Sequence, residues 1–155
     1  MGGYDPAFEL IKKALFNKKH VVTANKALIA ERGNELFRFA QDNGVILAFE
    51  SSVAGGIPII KALREGLVAN KVSWFAGILN GTSNYILSEM ESNKTSFDLA
   101  LRKAQELGLA ESDPSLDING TDAAQKASIL AALAFHVPFD FSYVSYGGIE
   151  EVDAG

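Results

Sequence analysis

The 155-residue chain contains no cysteine, which excludes disulfides, cysteine-held zinc and thiol nucleophiles. Its two histidines, His20 and His136, stand apart beside apolar residues, so structural or surface roles suit them better than catalysis. No apolar run reaches the roughly 18–20 residues that cross a bilayer. Residues Met1 to Pro6 lack the basic and apolar regions of a signal peptide, and a cytoplasmic protein is expected. Positive charge is scarce too: 14 Lys and Arg against 19 Asp and Glu give a net charge of −5. The densest basic cluster, Lys12-Lys13 with Lys18-Lys19-His20, falls at a helix end and its turn, where cations suit the negative helix pole. Neither nucleic acid nor a membrane is an expected partner. No G-x-G-x-x-G follows a strand, since Gly2-Gly3 and Gly55-Gly56 do not fit, and there is no repeat or low-complexity linker.

The residues present, 48% hydrophobic and 21% charged, suit a globular α/β chain. Pro6 opens a helix with Phe8, Leu10, Ile11, Ala14 and Leu15 at helical spacing. His20 to Thr23 reads as a short strand. Asn25 caps a second helix that stops near Asn43-Gly44, and Val45 to Phe49 reads as a buried strand. The loop from Glu50 to Ile57 leads into a helix from Pro58 to Leu67, and Val72 to Leu79 reads as another strand. The break at Asn80 to Asn84 opens a helix through Met90. A further helix runs from the Thr95-Ser96 cap to Leu107-Gly108, and the last, from Thr121 to Phe135, follows a polar loop from Glu111 to Gly120. Val144 onward is strand-like, and the chain is expected to be a piece of a longer protein. Trp74 and the ten phenylalanines are assigned to the core. Alternating strands and helices with short connections make the class α/β, a mixed sheet with helices packed on it.

The chemistry concentrates between Ala104 and Lys126. Four carboxylates, Glu111, Asp113, Asp117 and Asp122, fall within a dozen residues and are followed by one lysine. Asp122 and Lys126 are four apart and project from one helix face. Spacing alone fits a surface ion pair worth a few tenths of a kcal/mol. The surrounding Ala123, Ala124, Ala127, Ile129, Leu130, Ala131 and Leu133 argue otherwise, because a lysine on a helix this apolar needs a partner or a task.

With Ala104, Gly108-Leu109-Ala110, Asp113-Pro114, Asp117-Ile118, Gly120, Asp122 and Lys126 in place, this run resembles the homoserine dehydrogenase signature. Val21-Val22-Thr23-Ala24-Asn25-Lys26, Phe49 to Pro58 and Asn80-Gly81-Thr82-Ser83-Asn84-Tyr85 are similar to other blocks of that family. The resemblance covers nearly the whole chain. It implies an NAD(P)H-dependent oxidoreductase of threonine, methionine and isoleucine biosynthesis that interconverts L-aspartate 4-semialdehyde and L-homoserine. It also implies a homodimer.

The resemblance further implies that Lys126 donates the proton, an ammonium being able to stabilise and protonate an alkoxide. Asp122 would orient that lysine or the water beside it, Glu111 would hold the substrate ammonium, and Asp117 would assist. Lys26, with Asn25 before it, would reach the substrate and the nicotinamide end of the cofactor. Apart from the resemblance, Lys26 reads as an exposed lysine in a first helical turn. Carbonyls of Glu50, Val53, Gly55 and Ile57 would bind a monovalent cation such as Na+, whereas the residues alone read as a strand-to-helix turn. Thr82 either touches substrate or only caps its helix.

Residues 1–24 are then expected to be the end of a Rossmann domain, and residues 25–155 a truncated substrate-binding and dimerisation domain. Without the phosphate-binding turn, the piece is expected to be inactive by itself. Gly147 stands where the family carries a glutamate, which removes any role for that side chain. Two rival readings are a dimerisation module with a merely polar loop and a non-catalytic amino-acid-binding domain using Glu111 and Asp117.

Overall fold

The computed structural model describes residues 4–152, so the outermost residues of both expected domains lie outside the described residues. The chain divides into two compact units. The first contains residues up to Phe75 together with Gln125–Val144, and the second contains Ala76–Ala124 and the segment from Ser145.

In the first unit, α1 (Asp5–Phe16) begins with Pro6 in its first turn and buries Ala7, Phe8 and Leu15. It leads to β1 (Val21–Val22), α2 (Lys26–Asp42) and β2 (Leu47–Ala48). The strands pair in parallel, Val21 opposite Leu47 and Val22 opposite Ala48. Parallel neighbours need a crossover of this kind, and α2 supplies it. Asn25 caps α2 by accepting from the Leu28 N–H at 3.1 Å. The helix kinks at Arg32, whose guanidinium lies 3.3 Å from the Phe8 ring centroid. Beyond the kink Phe37, Phe49 and Phe139 pack ring against ring. Asn34 fixes Phe139 by donating to its carbonyl and accepting from its N–H.

After β2 a 3-10 turn (Glu50–Ser52) precedes α3 (Ile59–Lys61), which continues as a π-helical turn over Ala62–Gly66. His20 has a structural part, its Nδ1 accepting from the Ile46 N–H. His136 sits at positive φ just past the last helix, where the Val137 N–H reaches back to the Ala132 carbonyl, a helix-ending arrangement. The basic cluster also serves local structure: Lys18 donates to the Asn43 carbonyl and Lys12 lies over the Phe39 ring.

In the second unit, α4 (Gly81–Asn93) and α5 (Phe97–Glu106) pack around Ile86, Met90, Ala100, Ala104 and Ala110, with Tyr85, Phe97, Ile118 and Ile149 against them. Asn80 caps α4 and Ser96 caps α5. A short α6 (Ser115–Ile118) stands inside the stretch expected to be a polar loop. The final helix, α7 (Thr121–Phe135), begins in this unit and ends in the other.

Three expectations need correcting. Among the described residues the sheet has two short strands, and neither Val72–Leu79 nor the stretch from Val144 is a strand. β-branched and aromatic residues favour extended backbone, but a strand exists only where a neighbour completes its ladder. Trp74 is 75% exposed and Ile78 equally so, so Trp74 is not a core residue in this chain. The helix expected from Pro58 is α-helical for three residues only.

Candidate active-site residues

The second unit holds the candidate carboxylates. Asn80 is 7% exposed and Asp122 8%. The Asn80 amide donates to the Asp117 carboxylate at 2.6 Å and to the Asp122 carboxylate at 2.8 Å. Its carbonyl oxygen accepts from the Ser83 N–H at 2.7 Å. The Ser83 hydroxyl donates to the Asp117 carbonyl, so the start of α4 is tied to α6 through two residues. Two carboxylates on one amide nitrogen lie within the range at which like charges oppose each other. Such a pair is worth assembling where a cation is to be held or steered.

Asp117 stands in α6 and Asp122 in the first turn of α7, where the helix N-terminus favours negative charge. Between them Gly120 adopts φ of +85°, and a Cβ there would come 2.5 Å from the Gly147 carbonyl oxygen. A Cβ on Gly148 would meet the Ile118 carbonyl at 2.8 Å, the same oxygen that accepts from the Ile149 N–H. This close backbone approach sets the turn that separates the two carboxylates. Gly147 itself has open space where a side chain would go.

Thr82 is not the cap of α4, a task that falls to Asn80. Its hydroxyl donates to the Leu109 carbonyl at 2.8 Å, anchoring the turn at Gly108. Glu111 is exposed, its backbone carbonyl accepting from the Gln105 amide. Asp113 is bound by the Ser115 hydroxyl and, second, by the Ser115 N–H, and these hold its carboxyl below its ordinary value.

The first unit holds the candidate lysines. Lys26 is half-buried in the first turn of α2. It follows the C-terminal end of β1 across Thr23-Ala24-Asn25, with the Thr23 hydroxyl accepting from the Asn25 N–H. Lys126 is half-buried on α7, one turn beyond Asp122, and Ser128, Ile129 and Leu130 beside it are buried. The expectation of a largely buried helix holds.

The loop from Glu50 to Ile57 is organised differently. The Glu50 carboxylate accepts from the Ile60 and Lys61 N–H groups at 2.9 and 3.0 Å, closing the loop onto α3. Ala54 and Gly55 take φ of +59° and +57°, two successive left-handed residues that redirect the peptide carbonyls around them. Main-chain oxygens suit an alkali cation, and this turn has the backbone freedom to offer them. Among the described residues no group of three or more His, Cys, Asp or Glu side chains forms a metal cage.

Asn80 and Ser83 are the functional candidates that sequence spacing does not single out. Asn80 is visible as a helix cap, but its carboxylate partners lie 37 and 42 residues away.

Two family models match the chain: one described as homoserine dehydrogenase over residues 58–155, and one as its NAD binding domain over residues 1–50. The homoserine dehydrogenase of Pseudomonas aeruginosa is 56% identical over 98% of this chain and 35% of its own length. That of Neisseria gonorrhoeae is 54% identical over 99% of the chain. The chain spans about 35% of the length of these curated relatives. A crystal structure of a homoserine dehydrogenase from Thiobacillus denitrificans superposes with a TM-score of 0.96 at 56% identity, covering 99% of this chain and 36% of that one. A hyperthermophilic archaeal homoserine dehydrogenase in complex with NADPH gives 0.85 at 37% identity, covering 97% of this chain and 46% of that one. The chain belongs to the homoserine dehydrogenase family.

Proposed function

We propose that this chain supplies the substrate-handling part of an enzyme that interconverts L-aspartate 4-semialdehyde and L-homoserine. The observation that carries the proposal is the Asn80–Asp117–Asp122 network, with Asn80 and Asp122 buried and Asp122 one helical turn before Lys126. A surface ion pair would need no such support.

When bound, NAD(P)H delivers hydride to the aldehyde carbon. Lys126 gives its proton to the oxygen that becomes the hydroxyl of homoserine, and in the reverse direction takes that proton back as a base. Asp122 orients that ammonium or the water beside it. Glu111 holds the substrate ammonium with help from Asp117. Lys26 reaches the substrate and the nicotinamide end, with Asn25 beside the cofactor. Thr82, with its proton committed to Leu109, keeps lone pairs with which to accept from substrate. Carbonyls of Glu50, Val53, Gly55 and Ile57 would hold a monovalent cation such as Na+.

The proposal extends to a cytoplasmic homodimer, and no helix among the described residues is long and apolar enough to cross a membrane. The exposed Trp74 and Ile78 support an apolar face at Val72–Leu79 for a second copy. Residues 1–24 are taken as the end of the nucleotide-binding domain and residues 25–155 as the substrate and dimerisation domain.

The test is Lys126→Ala in an enzyme of full family length carrying this segment. Turnover of aspartate semialdehyde should fall by about 10²–10⁴-fold with NADPH binding retained. Near-normal turnover in a folded protein would remove the catalytic assignment.

A further inference from the structure

We infer that Asn80 is a positioning residue whose amide holds the carboxylates of Asp117 and Asp122 in fixed register, an inference that rests on the catalytic reading above. The chemistry of the side chain points to this role. Ser, Thr, Asp and Asn all cap helices well, and capping α4 needs only an acceptor for the Ser83 N–H. Of the four, only asparagine accepts with one atom while presenting two further protons on another. Both protons are used, one on each carboxylate, at 2.6 and 2.8 Å.

The amide cannot flip, because its oxygen is held by the Ser83 N–H at 2.7 Å and a flipped amide would set its NH2 against that donor. The NH2 therefore always faces the carboxylates. Asn80 and Asp122 are both nearly closed to water, so water cannot readily replace the lost donor, and a buried acceptor left short of donors moves or takes up a proton. A cap at the head of α4 thus doubles as the spacer between the residue assigned to substrate, Asp117, and the residue assigned to orient Lys126, Asp122.

Asn80→Ser and Asn80→Asp separate the two tasks, since both retain an oxygen to cap α4 and both remove the amide donor. In the full-length enzyme, each should lower kcat/KM for aspartate semialdehyde roughly tenfold or more, the scale of one lost buried hydrogen bond. NADPH affinity, measured by nucleotide fluorescence, should stay within about twofold, a split that general loss of folding would not produce. Having two variants guards against Asn80→Asp misfolding under a third clustered carboxylate. Lys126→Ala is assayed beside them. If it is inactive while both Asn80 variants keep wild-type kcat/KM, Asn80 is only a cap and the inference falls alone. If Lys126→Ala itself turns over normally, the catalytic reading falls and the inference with it.

Discussion

The region from Asn80 to Asp122 and the loop from Glu50 to Ile57 are organised by opposite means. The first is built from side chains: an amide, two carboxylates and a hydroxyl, each within hydrogen-bond distance of a named partner. The second is built from main chain, a left-handed pair of residues clamped by one carboxylate across its ends. Side-chain chemistry leaves a trace in residue identity, whereas carbonyl chemistry leaves one only in backbone dihedrals. The two regions should therefore respond differently to the same kind of substitution.

The largest contrast is in turnover. In the full-length enzyme, Asp122→Asn should reduce kcat about 100-fold, while Ile57→Leu, which keeps every carbonyl, should leave kcat unchanged. Equal losses from both would erase the distinction. A second contrast sharpens the role of backbone inside the side-chain region. Gly120→Ala forces a Cβ against the Gly147 carbonyl at a positive φ and should lower stability by about 2–4 kcal/mol. Gly147→Ala, with open space around it, should stay within about 0.5 kcal/mol. Chemical denaturation of the two variants decides this, and equal stabilities would refute the close approach.

Next in size is the loop clamp. Glu50→Ala removes the acceptor for the Ile60 and Lys61 N–H groups and should cost about 1 kcal/mol, with faster amide exchange at those two residues. Unchanged exchange would show the clamp to be idle. The smallest effect concerns Asp113. Its carboxyl is held below its ordinary value by the Ser115 hydroxyl first and the Ser115 N–H second. A depressed carboxyl stabilises the fold above its unfolded pKa, and that contribution is lost as pH falls through the folded value, below the ordinary 3.8. Ser115→Ala should raise the Asp113 pKa towards 3.8 in an NMR titration. An unmoved titration would assign the shift elsewhere.

How far the sequence could be read follows the same division. The Asn25 and Ser96 caps and the ends of the long helices are local signals, and they hold in the structure. The surroundings of Asp122 and Lys126 were legible from the apolar residues on α7. The non-strand course of Val72–Leu79 was not, because residue types describe a preference and a ladder needs a neighbour. For the same reason Trp74, in sequence a core aromatic, is exposed in this chain. The Asn80 bridge escaped because hydrogen bonds across 37 and 42 residues have no periodicity to betray them. In the loop from Glu50, neither the left-handed conformation of Ala54 nor the reach of the Glu50 carboxylate is written in residue type.

The close approach of Gly120 and Gly148 to backbone of the facing segment has a genetic consequence. Every amino acid other than glycine carries a Cβ, and at both positions that one atom falls inside 3 Å of a backbone oxygen. All missense changes at either codon therefore begin from the same injury, whatever the size or polarity of the new side chain. A saturation library should find no graded series there, with alanine faring little better than leucine, while the codon for Gly147 between them tolerates a spread of replacements.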